Sequence, residues 1–406
     1  MDIVQLSALS GALSVSRNLL QLPILAAFGD TLTALTGGNP QAFCSAYARF
    51  TALTLTEGPL GPALDRALWW DENPLTECVR TGQTPAAPLL AAGDADLRIL
   101  QELANLTPAL LLERATRHFA AYAPALACLP TFAVAPMALH TANDLLTLYQ
   151  TQGFGYFARG SAFVLENGDV RPIPPATVRL ADLKGYQWQK EAVLKNTLSF
   201  LRGEKANNIL LYGDKGCGKS STIQAVCAEL ASQGLKIIAF PSREVASFGK
   251  VYPRLAHSPF RFILFMDDLT FDGETGEYMA LKAFMEGGMN EKTANTLVYA
   301  TSNRRHLIKE TFSDRQGDDV NVRETRDTLT SLADRFGLAI PFSVPAKQEY
   351  LAIVDALAAE QGVTLPADQL HRQAEAFALQ KNGRSPRTAQ QFLHSLRAEG
   401  APEEAE

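Results

Sequence analysis

GDKGCGKSS, residues 213–221, is the stretch from which the chain is read. Gly213, Gly218, Lys219 and Ser220 fill the fixed positions of the P-loop pattern G-x-x-x-x-G-K-[ST], and Gly216 adds backbone freedom between them. The motif follows the apolar run NNILLYG (207–213) directly and opens a helix-forming stretch. Strand, tight loop and helix in that order turn successive backbone N–H groups and the positive helix end toward one point, where phosphate oxygens can sit. Gly213, Asp214, Lys215, Gly216, Cys217, Gly218, Lys219, Ser220 and Ser221 are therefore expected to bind a nucleoside triphosphate with Mg²⁺. Lys219 would neutralise the β- and γ-phosphates, and Ser220 would offer its hydroxyl to the metal.

Downstream, FILFMDDL (262–269) is an apolar strand that ends in two carboxylates. Ligands of α/β sheets gather at the carboxyl ends of strands. Asp267 is expected to hold Mg²⁺ there, and Asp268 to orient and polarise the attacking water. LVYATSNRR (297–305) is a second apolar strand with a polar end. If it lies between the other two strands, Asn303 would point at the γ-phosphate or the water, although Ser302 or Thr301 could take that place. In SLADRFGLAIPF (331–342), Arg335 presents a guanidinium fork suited to triphosphate oxygens on a neighbouring subunit, or to an ion pair with Asp334. In NGRSPRTAQQF (382–392), Arg387 opens the last helix, where a cation opposes the helix dipole and could fold back over nucleotide from a movable lid.

Strands are expected at 207–213, 236–240, 261–267, 296–302 and 337–343, alternating with helices, which predicts an α/β core with a parallel five-stranded sheet. Three amphipathic helices after Pro345 predict a small helical lid. Upstream the composition changes: Lys184 is the first lysine of the chain, and the region before about residue 150 is rich in Ala and Leu. That region reads as a mostly α-helical amino-terminal domain. The expected division is 1–153 helical, 154–177 a β-hairpin about Asn167-Gly168 with a Pro-rich connector, 178–345 the α/β core, 346–400 the lid and 401–406 an acidic tail.

A net charge of −6 over 406 residues supplies no global basic field for nucleic acid. Five scattered cysteines without a C-x-x-C pair argue against a disulfide scaffold or zinc site and fit a reducing cytoplasm. NLLQLPILAAF (18–28) is apolar but too short to span a membrane and contains Pro23, so it is expected to be a buried helix.

The ordered set GDKGCGKSS, FILFMDDL, ATSN, LADRFG and GRSPR resembles the AAA+ superfamily of ATPases over about residues 178–396. More closely, it resembles a bacterial family of AAA+-like ATP-binding proteins catalogued as a domain of unknown function. The resemblance implies a sensor-one role for Asn303, an arginine finger at Arg335 acting in trans within a homo-oligomer, and a sensor-two role for Arg387. It also implies that the backbone around Gly185 and Tyr186 cups adenine. Many members of the superfamily carry Glu where Asp268 stands, so slow turnover is expected. The chain lacks the aromatic-hydrophobic-Gly loop of protein unfoldases after its second strand. The expected function is ATP hydrolysis coupled to conformational change of a protein or nucleic-acid partner, with no membrane involved. The alternatives are a slow ATP-dependent switch or binding module and, less well supported, a small-molecule kinase.

Overall fold

Asn or Thr followed by Pro starts helix after helix in the first part of the chain. In the computed structural model, which describes residues 2–241, 244, 247–269, 285, 295–303, 336–381 and 383–400, these pairs cap Pro40–Glu57, Pro74–Thr81 and Pro108–His118. The side chains of Asn39, Asn73 and Thr107 accept backbone N–H bonds from the first turn, and Pro follows where its missing N–H costs nothing. Pro23 does the same for Pro23–Thr36, whose Ile24, Leu25 and Phe28 are buried, so the apolar 18–28 stretch is a core segment. No helix among the described residues is long and apolar enough to cross a membrane.

The chain divides into two units, Met1–Arg159 and Gly160–Glu406. The first is helical around a core that includes Phe28, Phe43, Tyr47, Phe50 and Tyr149. One carboxylate lies inside it. Asp96 is 2% exposed and accepts backbone N–H bonds from Ser14 at 3.0 Å, Val15 at 2.8 Å and Ser16 at 2.9 Å, which pins an irregular turn to the helix Ala87–Ala104. Backbone donors of this kind satisfy a buried charge without a counter-ion.

The second unit is built on a seven-stranded sheet in the order β2-β1-β4-β5-β6-β3-β7. Its strands are β1 (Ala162–Glu166), β2 (Asp169–Ile173), β3 (Ile209–Gly213), β4 (Leu235–Ala239), β5 (Arg261–Met266), β6 (Thr296–Ser302) and β7 (Leu338–Phe342). β3 to β7 pair in parallel and their central members are buried almost throughout, as strands covered on both faces should be. The expectation of a five-stranded parallel sheet is corrected here: the sheet is mixed, because β1 adds in parallel to β4 and carries antiparallel β2 with it. β1 buries Phe163 and Leu165 and covers the edge that β4 would otherwise leave open. Pro172 sits on the outermost strand, where a missing donor is tolerated. The hairpin turns on Asn167 and Gly168, at φ 54° and 77°, the left-handed pair such a turn needs.

After β7 the helices Lys347–Gln361, Ala367–Gln380 and Pro386–Gly400 pack around Tyr350, Val354, Ala374 and Leu393. They form a second small core within the same unit. Apart from Met285, residues 270–294 and 304–335 lie outside the described residues.

Candidate functional site

β6 lies between β5 and β3, so the ends of three strands meet at one place. The register pairs Met266 with Ala300 and Tyr212 with Ser302, which brings Asp267, Asp268, Thr301 and Asn303 beside the loop that follows β3. That loop needs glycine at its first position. Gly213 has φ 128°, and a Cβ there would sit 2.3 Å from the carbonyl oxygen of Phe342 in β7.

Lys219, Ser220, Asp267, Asp268, Asn303 and Arg387 all line one cavity of about 350 Å³. Lys219 is 6% exposed and spends its three donors on Gly213 O at 2.9 Å, Asp214 O at 2.7 Å and Asn303 Oδ1 at 3.0 Å. Burial pulls its ammonium below the ordinary lysine range, while nearby acidic groups oppose that shift. Ser220 Oγ donates to Asp267 Oδ1 at 2.5 Å, and Thr301 Oγ1 donates to the same oxygen at 2.7 Å. Asp268 adopts φ 52°, a left-handed conformation Asp tolerates, and its backbone N–H donates to Thr301 Oγ1 at 2.9 Å. Asn303 closes the circuit, accepting from Lys219 through Oδ1 and donating to Asp268 through Nδ2.

Other residues singled out in the sequence fall as follows. Lys215, Gly216, Cys217, Gly218 and Ser221 lie in the cavity wall. Gly213 and Asp214 form the base of the loop instead, where Asp214 N donates to Phe342 O and its carboxylate accepts from Val344 N. Gly185 and Tyr186 reach the same wall, but the Tyr186 ring stacks on Phe342 and its hydroxyl donates to Ser343 O at 2.6 Å. Burial raises that hydroxyl's pKa further. Arg387 is one residue into its helix, its N–H directed to Gly216 O, and its guanidinium has no partner among the described residues. Ser302 turns away to Leu269 O. Arg335 lies outside the described residues, as does Asp334.

The sequence offers Thr301 only as an alternative to Asn303 and does not single out Gln390. Thr301 holds both aspartates at once, a role visible only from the β5–β6 register. Gln390 lines the cavity one turn after Arg387, and the three-residue spacing is the signal that could have found it.

The chain overlaps solved structures at low similarity. A RuvB mutant of Thermotoga maritima is 18% identical with a TM-score of 0.37, over 54% of this chain and 64% of that one. The Thermotoga maritima RuvB Holliday junction branch migration motor is 17% identical with a TM-score of 0.32, over 55% and 74%. The chain thus spans just under two thirds of the first of these, and similarity at this level says nothing of substrate. No curated protein matches the chain. The model of the family described as "Protein of unknown function (DUF815)" matches residues 158–400, more than half of the chain, and the chain belongs to that family.

Proposed function

We propose that the chain is an AAA+-type ATPase that binds Mg-ATP at the loop 213–221 and couples hydrolysis to movement of its carboxyl-terminal helices. The observation that carries this reading is the convergence of Lys219, Ser220, Asp267, Asp268 and Asn303 on one cavity, linked by a continuous set of hydrogen bonds. The donor set suits Mg²⁺. A hydroxyl and a carboxylate oxygen stand together at Ser220 and Asp267, and the described residues hold no cluster of three or more His, Cys, Asp or Glu. The metal's other positions would thus fall to phosphate and water oxygens, as Mg²⁺ prefers. When bound, it neutralises phosphate charge.

The residues then divide the work. Lys219 gives up carbonyl partners for phosphate oxygens, exchanging neutral acceptors for charged ones, which make stronger hydrogen bonds. Asp268 orients the attacking water. Asn303, joined to both Lys219 and Asp268, loses one of those bonds when phosphate and water enter and so registers occupancy. Arg387, whose backbone N–H is directed to Gly216 O and whose side chain lines the cavity, draws the last helix toward the triphosphate. Arg335 acts on a neighbour's site in a homo-oligomer. In this reading the helical region 1–153 holds a protein or nucleic-acid partner, 154–177 connects it to the nucleotide-binding core 178–345, and 346–400 is the lid.

A slow switch is the second reading, favoured by the Asn303–Asp268 hydrogen bond, which engages the proposed water-orienting carboxylate. Steady-state phosphate release by the wild type and by Asp268→Asn separates the two. The ATPase reading expects measurable release that falls about a hundredfold in the variant while ATP binding persists. Negligible wild-type release with tight ATP binding would favour the switch, and equal release by both proteins would remove Asp268 from the mechanism.

A further inference from the structure

Two lysines are more than nine-tenths buried in the wall of the cavity, and only one has been given a task. Lys219 uses all three of its donors. Lys190, 8% exposed in the helix Gln187–Leu201, has one acceptor among the described residues, the carbonyl oxygen of Leu183 at 2.7 Å, and makes no ion pair. Its neighbour Lys184 differs, donating to Ala181 O and pairing with Glu360 at 3.3 Å. A buried ammonium with two unused donors is costly unless something fills them. Burial depresses its pKa in the same sense as for Lys219.

The surroundings specify what would fill them. Leu183, Lys190, Leu357 and Gln390 stand in the cavity wall along with the 184–186 segment, and Leu357 supplies apolar surface of the kind a flat ring covers. The Leu183 carbonyl has a second lone pair besides the one Lys190 takes. A donor and an acceptor held side by side match an edge that offers an acceptor beside a donor. The ring nitrogen and 6-amino group of adenine are such an edge. A 6-oxo purine would set its carbonyl against that of Leu183.

We infer that Lys190 is the base-reading residue of the cavity, donating to an adenine ring nitrogen while the Leu183 carbonyl accepts from the adjoining 6-amino group. The inference rests on the Mg-ATP reading above and adds to it a residue that selects the base.

The test measures binding of ATP, ITP and inorganic tripolyphosphate, each with Mg²⁺, to the full chain. Wild type is expected to prefer ATP over ITP by at least about tenfold. Lys190→Met should lose most of that ratio through weaker ATP binding, with tripolyphosphate affinity unchanged, and Lys190→Arg should keep most of it. An unchanged ATP-to-ITP ratio in Lys190→Met overturns the inference. So does equal weakening of all three ligands, which would make Lys190 a prop of the fold. Should Lys190→Met not fold, a wild-type ratio of one overturns it alone. Wild type that binds tripolyphosphate and ATP equally leaves the ATPase reading standing while ending this one, whereas wild type that binds neither ends both.

Discussion

Asp96 in the helical unit and Lys219 in the sheet unit are both buried charges, at 2% and 6% exposure, and both are satisfied without a formal counter-ion at contact distance. Their partners differ in kind. Asp96 is held by backbone N–H groups of Ser14, Val15 and Ser16, and none of the cavity's lining residues belongs to that unit. Lys219 is held by loop carbonyls and a side-chain amide on the wall of an open cavity, all of which a stronger anionic acceptor could replace. A buried charge with fixed partners holds a fold, and one with replaceable partners is poised for a ligand.

Substitutions can break or sharpen that contrast. The largest effect is expected from Gly213→Ala, since a methyl 2.3 Å from Phe342 O must push β3 from β7. A stability loss of about 4 kcal/mol in chemical denaturation would fit. Asp96→Ala leaves three backbone donors without their acceptor and should lower stability by about 3 kcal/mol in the same measurement. A loss below about 0.5 kcal/mol would mean that the turn finds other partners. Thr301→Val keeps the shape but removes the hydroxyl that joins the two aspartates, and phosphate release should fall about tenfold, ~1.4 kcal/mol in activation free energy. Unaltered release would show that the aspartates need no such brace.

The smallest effect concerns pH. Lys236 donates to Gly160 O at 2.8 Å and lies over the Phe260 ring, and burial lowers its pKa from 10.5 to about 8. Between those values the unfolded chain binds more protons than the folded one, so this group's contribution makes stability rise with pH across that window. The difference in stability between wild type and Lys236→Met should therefore grow in the wild type's favour from pH 8 to 10.5, by ~1 kcal/mol after solvent screening. A flat difference would mean that Lys236 stays charged throughout.

The five core strands were legible because each is a short apolar run with a polar end, and every one falls within two residues of its expected limits. The loop 213–221 was legible because its geometry is encoded in adjacent residues. What escaped depends on partners far apart in the chain. No local feature says that AFVLE at 162–166 will lie against 237–239 instead of remaining a free hairpin, since only the open edge of β4 decides it. Thr301 and Lys190 have ordinary surroundings in sequence, and their places follow from strand register and helix phase.

The central claim is that Lys219, Asp267 and Asn303 serve one magnesium-triphosphate complex. Calorimetric titration of ATP into wild type, Lys219→Ala and Asp267→Asn, with Mg²⁺ and with a chelator, tests it most directly. The account predicts binding by wild type that strengthens with Mg²⁺, loss of that strengthening in Asp267→Asn, and at least about a hundredfold weaker binding in Lys219→Ala. ATP affinity that is the same in all three proteins would contradict it.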